Sequence, residues 1–85
     1  MINKNNMSNL KKKIYCIRLK KYLPGLDKPP IIGELGKKIM SNVSEKAWVE
    51  WLSFQVILIN EHNLNLINEK DRKFLRKELN KYFFE

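Results

Sequence analysis

Cysteine and histidine are the two chemically versatile residue types that this 85-residue chain has least of: one cysteine, Cys16, and one histidine, His62. A single cysteine excludes an intrachain disulfide, which is consistent with a reducing compartment. A structural zinc ion needs about four nitrogen or sulfur ligands, and an iron–sulfur cluster normally takes about four thiolates, so one chain supplies neither site. A site of two histidines and one carboxylate for iron is excluded in the same way.

Long hydrophobic runs are also missing, because no apolar run exceeds four residues. A membrane-spanning helix needs about 20 apolar residues, so none is predicted. Residues 1–13 are polar and contain no apolar core of a secretory signal. We therefore expect a cytoplasmic protein with a disordered basic extension over residues 1–13 and a single domain over residues 14–85.

Arginine is scarce, since the chain has 3 arginines beside 14 lysines and a formal net charge of +8. Helical spacing places four of these lysines on one face of the last predicted helix: Lys70, Lys73, Lys77 and Lys81. This stripe is either a basic surface for nucleic acid or the result of an A/T-rich genome that favours lysine and asparagine codons. The stripe contains no arginine and no interleaved aromatic residue, so we expect no specific reading of nucleic acid.

The periodicity of apolar residues predicts an α+β fold that is mainly α. Residues 14–19 alternate as a short strand, with Tyr15, Ile17 and Leu19 as its buried set, and residues 26–28 are expected to pair back on it. Apolar residues at helical spacing then predict three helices, at about 34–42, 44–62 and 68–83. A two-stranded ribbon is marginal alone, so this one is predicted to pack on the helices.

The central helix carries both tryptophans, Trp48 and Trp51, which we interpret as core anchors. Ser44 is its predicted N-cap, because a serine hydroxyl accepts from the free N–H groups of the first turn. Gln55 projects from the middle of the apolar face, and a buried amide without partners costs about 1–3 kcal/mol. We therefore expect Gln55 to bond to backbone, in a structural role rather than as a ligand.

Two glycines, Gly33 and Gly36, flank the start of the first predicted helix. Their spacing matches the GXXG of KH domains only superficially, because the strand and helix pattern around it is absent. A glycine inside a helix costs about 1 kcal/mol against alanine. Both are therefore assigned structural roles, and close backbone packing is the expected reason for Gly36.

The metal site that this inventory permits is weak and open. Its members would be the Cys16 thiolate, or the imidazole of the one histidine, with carboxylates such as Asp27, Glu34 or Glu61. Such a site would exchange its metal easily, which suits a carrier better than a metalloenzyme. The absence of any metal fits the inventory equally well. Alternation places Cys16 beside Arg18, so it is either a small filler residue or a reactive thiol whose pKa a nearby cation lowers.

Considered together, the motifs along residues 14–85 resemble those of the small bacterial Fe(II)-trafficking proteins, also described as oxidative damage protection proteins. The matching stretches occur in the same order and almost without gaps: Cys16-Ile-Arg-Leu19, Gly25-Leu-Asp-Lys-Pro-Pro30, Gly33-Glu-Leu-Gly-Lys-Lys-Ile39, Glu45-Lys-Ala-Trp48, Trp51, Gln55, Leu58-Ile-Asn-Glu61, Leu64-Asn65 and Arg72-Lys-Phe-Leu75. The chain departs from the usual family pattern at Ile31-Ile32, where the family has Tyr-Pro before its Gly-Glu-Leu-Gly.

The resemblance implies a cytoplasmic, monomeric protein that is not an enzyme. It implies weak or transient handling of labile Fe(II), with no iron–sulfur cluster of its own, and protection or repair of iron–sulfur proteins under oxidative stress. The implied partners are iron–sulfur proteins or their assembly machinery, not a membrane. The single cysteine of the family corresponds to Cys16, the residue tied to that protection. A basic nucleic-acid-binding module or a protein-interaction module without metal are the alternatives.

Overall fold

Residues 12–85, which the computed structural model describes, form an antiparallel ribbon followed by three helices. The elements are strand β1 (Lys13–Cys16), strand β2 (Lys21–Pro24), helix α1 (Glu34–Asn42), helix α2 (Glu45–Glu61) and helix α3 (Glu69–Phe84). This order confirms the predicted α+β class and all three helices to within a residue or two. The predicted extension over residues 1–13 lies almost entirely outside the described residues.

The ribbon turns back on itself earlier than predicted. Strand β2 pairs in register from Lys13 opposite Pro24 to Cys16 opposite Lys21, so the prediction of a second strand at residues 26–28 was wrong. The reason is the turn between the strands: Lys20 takes a left-handed backbone conformation with φ 57°, and its N–H donates to the Cys16 carbonyl at 2.7 Å. Chain reversal therefore occurs directly after Cys16, and the second strand ends before residues 26–28.

The buried face of β1 is also the opposite of the predicted one. Tyr15 and Tyr22 lie opposite each other on the exposed face, with ring centroids 5.2 Å apart in an edge-to-face contact. Each ring covers part of the other, and a tyrosine tolerates water at its hydroxyl. Cys16 lies on the other face and is fully buried. The prediction that Cys16 occupies the less buried face was therefore wrong.

The two glycines before and within α1 have different structural reasons. Gly33 precedes the helix with φ 92°, a left-handed conformation that a side chain would strain. A Cβ at Gly36 would collide with the carbonyl of Ile31. This confirms close backbone packing as the reason for Gly36, and it places the segment before the helix directly against the helix.

The chain divides into two units, Met1–Ala47 and Trp48–Glu85, and helix α2 contributes residues to both. In the first unit, strand β1 contacts helix α1. The fully buried residues of the described part of this unit are Cys16, Ile39, Val43, Ser44 and Ala47. A serine and a cysteine thus lie among the aliphatic residues of this core.

The second unit is built around aromatic rings. Trp51 is fully buried, with its ring centroid 5.3 Å from that of Tyr82 and 5.9 Å from that of Phe54, while the half-buried Trp48 stacks on Phe83 at 6.1 Å. These contacts confirm the tryptophans as packing anchors. Gln55 is half-buried, and its predicted bond to backbone stays a prediction.

Asparagines cap the C-terminus of α2 and the N-terminus of α3. Asn63 takes the left-handed conformation with φ 49° after α2, and the N–H of Leu64 donates to the carbonyl of Ile59 at 3.0 Å, as in a Schellman motif. Asn68 caps α3, with its side chain accepting from the N–H of Lys70 at 2.9 Å. None of the helices in the described residues is long and apolar enough to cross a membrane.

A buried thiol at the start of helix α2

Cys16 is the last residue of β1 and its side chain has no exposed surface. The backbone around it is held on both sides. The N–H of Ile17 donates to the carbonyl of Asn42 at 3.0 Å, which ties the strand end to the end of α1. An isolated bridge joins Gly25, just past β2, to Ser44. The thiol is therefore fixed between the ribbon and the junction of α1 with α2.

Ser44 is the main hydrogen-bonding partner of the Cys16 sulfur. The backbone N–H of Ser44 lies 3.5 Å from Sγ, and the Ser44 hydroxyl also donates to it. The backbone N–H groups of Leu19 and Arg18, in the turn after β1, make smaller contributions that lower the pKa of the thiol. A set of N–H and O–H donors around one sulfur is arranged to stabilise the thiolate.

Ser44 connects this sulfur to helix α2. Its hydroxyl oxygen accepts from the N–H of Ala47 at 3.1 Å, which confirms the predicted N-cap, while its hydroxyl hydrogen is free to point at Cys16. One side chain thus serves the helix and the thiol together. The positive end of the helix dipole lies at the same place and also favours an anion there.

These contacts decide the direction in which the pKa of the thiol moves. Burial raises the pKa of Cys16, but hydrogen bonds from the Ser44 hydroxyl and from the backbone N–H groups of Ser44, Leu19 and Arg18 lower it by more. The net result is a pKa below the ordinary value of 9.0. The main feature of this site is therefore a fully buried thiol whose pKa is lowered by hydrogen bonds.

The three predicted carboxylate partners lie on exposed parts of the chain. Asp27 follows the bridge at Gly25, Glu34 begins α1 with its side chain 93% exposed and 3.7 Å from Lys37 Nζ, and Glu61 ends α2. Within residues 12–85, no three histidine, cysteine, aspartate or glutamate side chains come together as a group that could hold a metal ion. Cys16, Asp27, Glu34 and Glu61 as iron ligands therefore stay a prediction.

Similarity to known proteins decides the family of the chain. A sequence profile described as bacterial Fe(2+) trafficking matches residues 10–85. The chain belongs to this family. It is 52% identical over 71 residues to the probable Fe(2+)-trafficking protein of Legionella pneumophila strain Corby, a match that covers 84% of this chain and 80% of the relative.

Other members of the Fe(2+)-trafficking family are similar to nearly the same extent. The probable Fe(2+)-trafficking protein of Azoarcus sp. strain BH72 is 47% identical over 72 residues, covering 85% of this chain and 80% of the relative. That of Cupriavidus metallidurans is 51% identical over 71 residues, covering 84% and 78%. These matches confirm the family that the motifs indicated.

Sequence reasoning on this family member found Cys16 and Ser44 separately but missed their contact. Ser44 was predicted only as a helix cap, and 28 positions separate it from Cys16. Nothing in the local pattern of either residue indicates the other. The one available signal was that a Cys-containing strand and a capped helix occur in the same short domain.

Proposed function

We propose that this protein handles labile Fe(II) as cargo and that Cys16 is the group that meets it. The family and the names of its members support the iron as cargo, and the hydrogen bond from Ser44 to a buried sulfur with a lowered pKa supports Cys16 as the residue. In this proposal the protein is a monomeric carrier in the cytoplasm and not an enzyme.

The chemistry of a stabilised thiolate fits transient iron binding. A metal ion must displace the thiol proton, and a lowered pKa makes that displacement less costly. One soft sulfur with a few hard carboxylate oxygens from Asp27, Glu34 or Glu61 binds Fe(II) loosely, because affinity grows with the number and fit of the ligands. Loose binding allows the ion to be passed on.

Access to the sulfur requires local opening, because Cys16 has no exposed surface. The ribbon of β1 and β2 is the element that opens in this proposal, since two-stranded ribbons are marginal and short segments open at less cost than the whole fold. Opening would separate the sulfur from Ser44, because the turn between the strands moves with the ribbon. Uptake and release of the ion are thereby coupled to a movement of residues 13–24.

The same thiolate would protect iron–sulfur proteins by reacting with peroxide. The sulfur attacks one peroxide oxygen, the O–O bond breaks, and hydroxide leaves, so that the thiolate is oxidised to sulfenic acid and the peroxide is reduced. Iron–sulfur proteins or their assembly machinery are the proposed clients of both roles.

The test is anaerobic titration of Fe(II) into the protein, followed by calorimetry. Wild type is expected to release heat on binding, and the Cys16→Ser variant is expected to release little, with its fold checked by circular dichroism. Single variants Asp27→Asn, Glu34→Gln and Glu61→Gln then identify the oxygen ligands. No heat with wild type would end the proposal of direct iron carriage.

A nucleic-acid function is the second candidate, and the exposure of Lys70, Lys73, Lys77 and Lys81 along one face of α3 is the observation that favours it. It predicts binding of DNA or RNA that weakens with salt, with a log–log slope of about 0.9 for each phosphate contacted. Absent or salt-insensitive binding would remove it.

A further inference from the structure

The connection between α2 and α3 presents two aliphatic side chains to solvent. Leu66 is 45% exposed and Ile67 is 85% exposed, although both belong to a short loop between well-packed helices. We refer to residues 63–68 as the Leu66–Ile67 loop. Burying an aliphatic side chain of this size contributes about 1.5–3 kcal/mol. A partner that covered both side chains would gain this hydrophobic free energy on binding.

The loop is held by side chains that bond to its backbone. The N–H of Asn65 donates to Asp71 Oδ2 at 2.7 Å, and the N–H of Ile67 donates to Asn65 Oδ1 at 3.0 Å. The N–H of Asn68 donates to the carbonyl of Asn65 at 2.9 Å. Three hydrogen bonds that all involve Asn65 thus hold a loop of only six residues.

Arg72 completes this arrangement. Its Nη1 donates to the carbonyl of Leu66 at 2.7 Å and to the carbonyl of Ile67 at 2.8 Å. Charge-assisted bonds of this kind are about twice as strong as neutral ones. Both carbonyls and the N–H of Ile67 are therefore hydrogen-bonded within the protein, and the two side chains are left as a rigid apolar projection.

The surroundings of the projection are positively charged. Between Asn65 and Lys77 the chain has five cations and only two carboxylates. One of the two, Asp71, is half-buried and already accepts from the backbone of Asn65. Lys70 and Lys73, within six residues of Ile67, are both exposed. The start of helix α3 adds the positive end of its dipole.

We propose that the Leu66–Ile67 loop is a docking projection for a partner protein that offers an apolar pocket bordered by aspartate and glutamate. The charge of the loop region is complementary to such a rim, and complementary charge speeds encounter and selects the partner. This interaction goes beyond iron binding and does not depend on Cys16.

The rigidity of the loop favours a protein pocket over a lipid surface. A preformed projection saves the entropy cost of ordering when it enters a pocket of matching shape, whereas a fluid bilayer gains nothing from that shape. Helix α3 also has no apolar face left for a membrane, because Leu75, Leu79 and Phe83 are buried. Nucleic acid is disfavoured because the projection has no aromatic ring on which a base could stack.

The test begins with a photo-crosslinking amino acid placed at position 67 of the full chain in growing bacteria. Position 57 is the matched control, because Ile57 is also an exposed aliphatic residue, 49% exposed on helix α2. Adducts are expected at position 67 and not at position 57, and mass spectrometry is expected to place them in a partner segment rich in aspartate and glutamate. Equal adducts at both positions, or a basic partner segment, would overturn the proposal.

The purified partner is then used in direct binding measurements. Ile67→Asp is expected to weaken binding about tenfold or more, and Ile57→Asp to change it less than about twofold. The charge reversal of Lys70 and Lys73 to glutamate should slow association, and added salt should slow the wild type in the same way.

Arg72→Lys separates the effect of loop rigidity from that of charge. It keeps the positive charge but loses the hydrogen bonds to the carbonyls of Leu66 and Ile67. It is expected to weaken partner binding while leaving the helices intact by circular dichroism. Unchanged partner binding by Ile67→Asp would overturn the proposal. So would binding of anionic phosphatidylglycerol vesicles, or of DNA, that is lost on Ile67→Asp, because the projection would then serve a lipid or a nucleic acid.

Discussion

The surroundings of Cys16 and the Leu66–Ile67 loop use the same hydrogen-bonding groups in opposite ways. Around Cys16, the backbone N–H of Ser44 is directed at a buried sulfur, and hydrogen bonds lower the pKa of this thiol. In the loop, the side chains of Asn65, Asp71 and Arg72 are directed at the backbone, and the apolar side chains remain outside.

This difference separates chemistry from recognition. The reactivity of a nucleophile or metal ligand depends on its protonation state. Hydrogen-bond donors around the side chain and the exclusion of water control that state. The affinity of a docking surface depends on its shape. Hydrogen bonds to the backbone fix that shape, and the side chains remain available to contact a partner. In our proposals, the first unit of this small protein has a site for a reaction and the second has a surface for contact.

The largest expected effect comes from breaking the framework around the first site with Gly36→Ala. The new Cβ collides with the Ile31 carbonyl, so we expect a loss of about 3 kcal/mol or more in the free energy of unfolding. Urea denaturation measures it. Gly33→Ala is the matched control, because its Cβ meets nothing and only the backbone, at φ 92° and ψ −169°, is strained, at about 1–3 kcal/mol. Equal losses in the two variants would contradict the close approach at Gly36.

The comparison is sharpened by removing one helix cap from each region. Ser44→Ala and Asn68→Ala should each cost about 1 kcal/mol of stability, since each removes an N-cap. Only Ser44→Ala should also raise the pKa of Cys16, because the Ser44 hydroxyl lowers that pKa and Asn68 has no part in it. Thermal unfolding and thiol titration measure the two effects. A rise in the Cys16 pKa in both variants would show that the contact at Ser44 is not its cause.

The pH dependence of stability tests the first region alone. The folded pKa of Cys16 lies below the unfolded value of 9.0, so the folded state holds fewer protons between the two values and stability rises with pH there. The gain is complete above pH 9.0 and is lost as the pH falls through the folded pKa. The difference in melting temperature between wild type and Cys16→Ala should therefore widen as the pH is raised towards 9.0. A difference that stays constant with pH would contradict a lowered pKa.

The smallest expected effect on stability is that of Ile67→Asp. The side chain is 85% exposed, so the free energy of unfolding should change by less than about 0.5 kcal/mol. Urea denaturation again measures it, with Leu75→Asp as a variant that should fail to fold because Leu75 is buried. A large loss in Ile67→Asp would mean that the projection supports the fold, and the contrast between the two regions would disappear.

Local features of the chain could be predicted from the sequence. The caps Ser44 and Asn68 lie a few residues from the groups that they bond, so their sequence context carries the signal. The three helices followed from apolar periodicity. The resemblance to the family, carried by the order of many short motifs, identified Cys16 as the residue of interest.

Features that depend on distant residues could not be predicted in the same way. Cys16 was assigned to the wrong face of β1 because alternation does not say which face the rest of the fold covers. Its donor Ser44 comes from a different element. The contact of Arg72 with the carbonyls of Leu66 and Ile67 depends on a folded turn, so no local pattern predicts it.

The central claim is that hydrogen bonds in the folded protein lower the pKa of the Cys16 thiol. Titration of its ultraviolet thiolate absorbance tests this most directly, because the chain has a single cysteine and every thiolate signal belongs to it. We predict a pKa below 9.0 in the folded protein and a return towards 9.0 in denaturant. A folded pKa at or above 9.0 would show that burial outweighs the donors, and it would contradict the account.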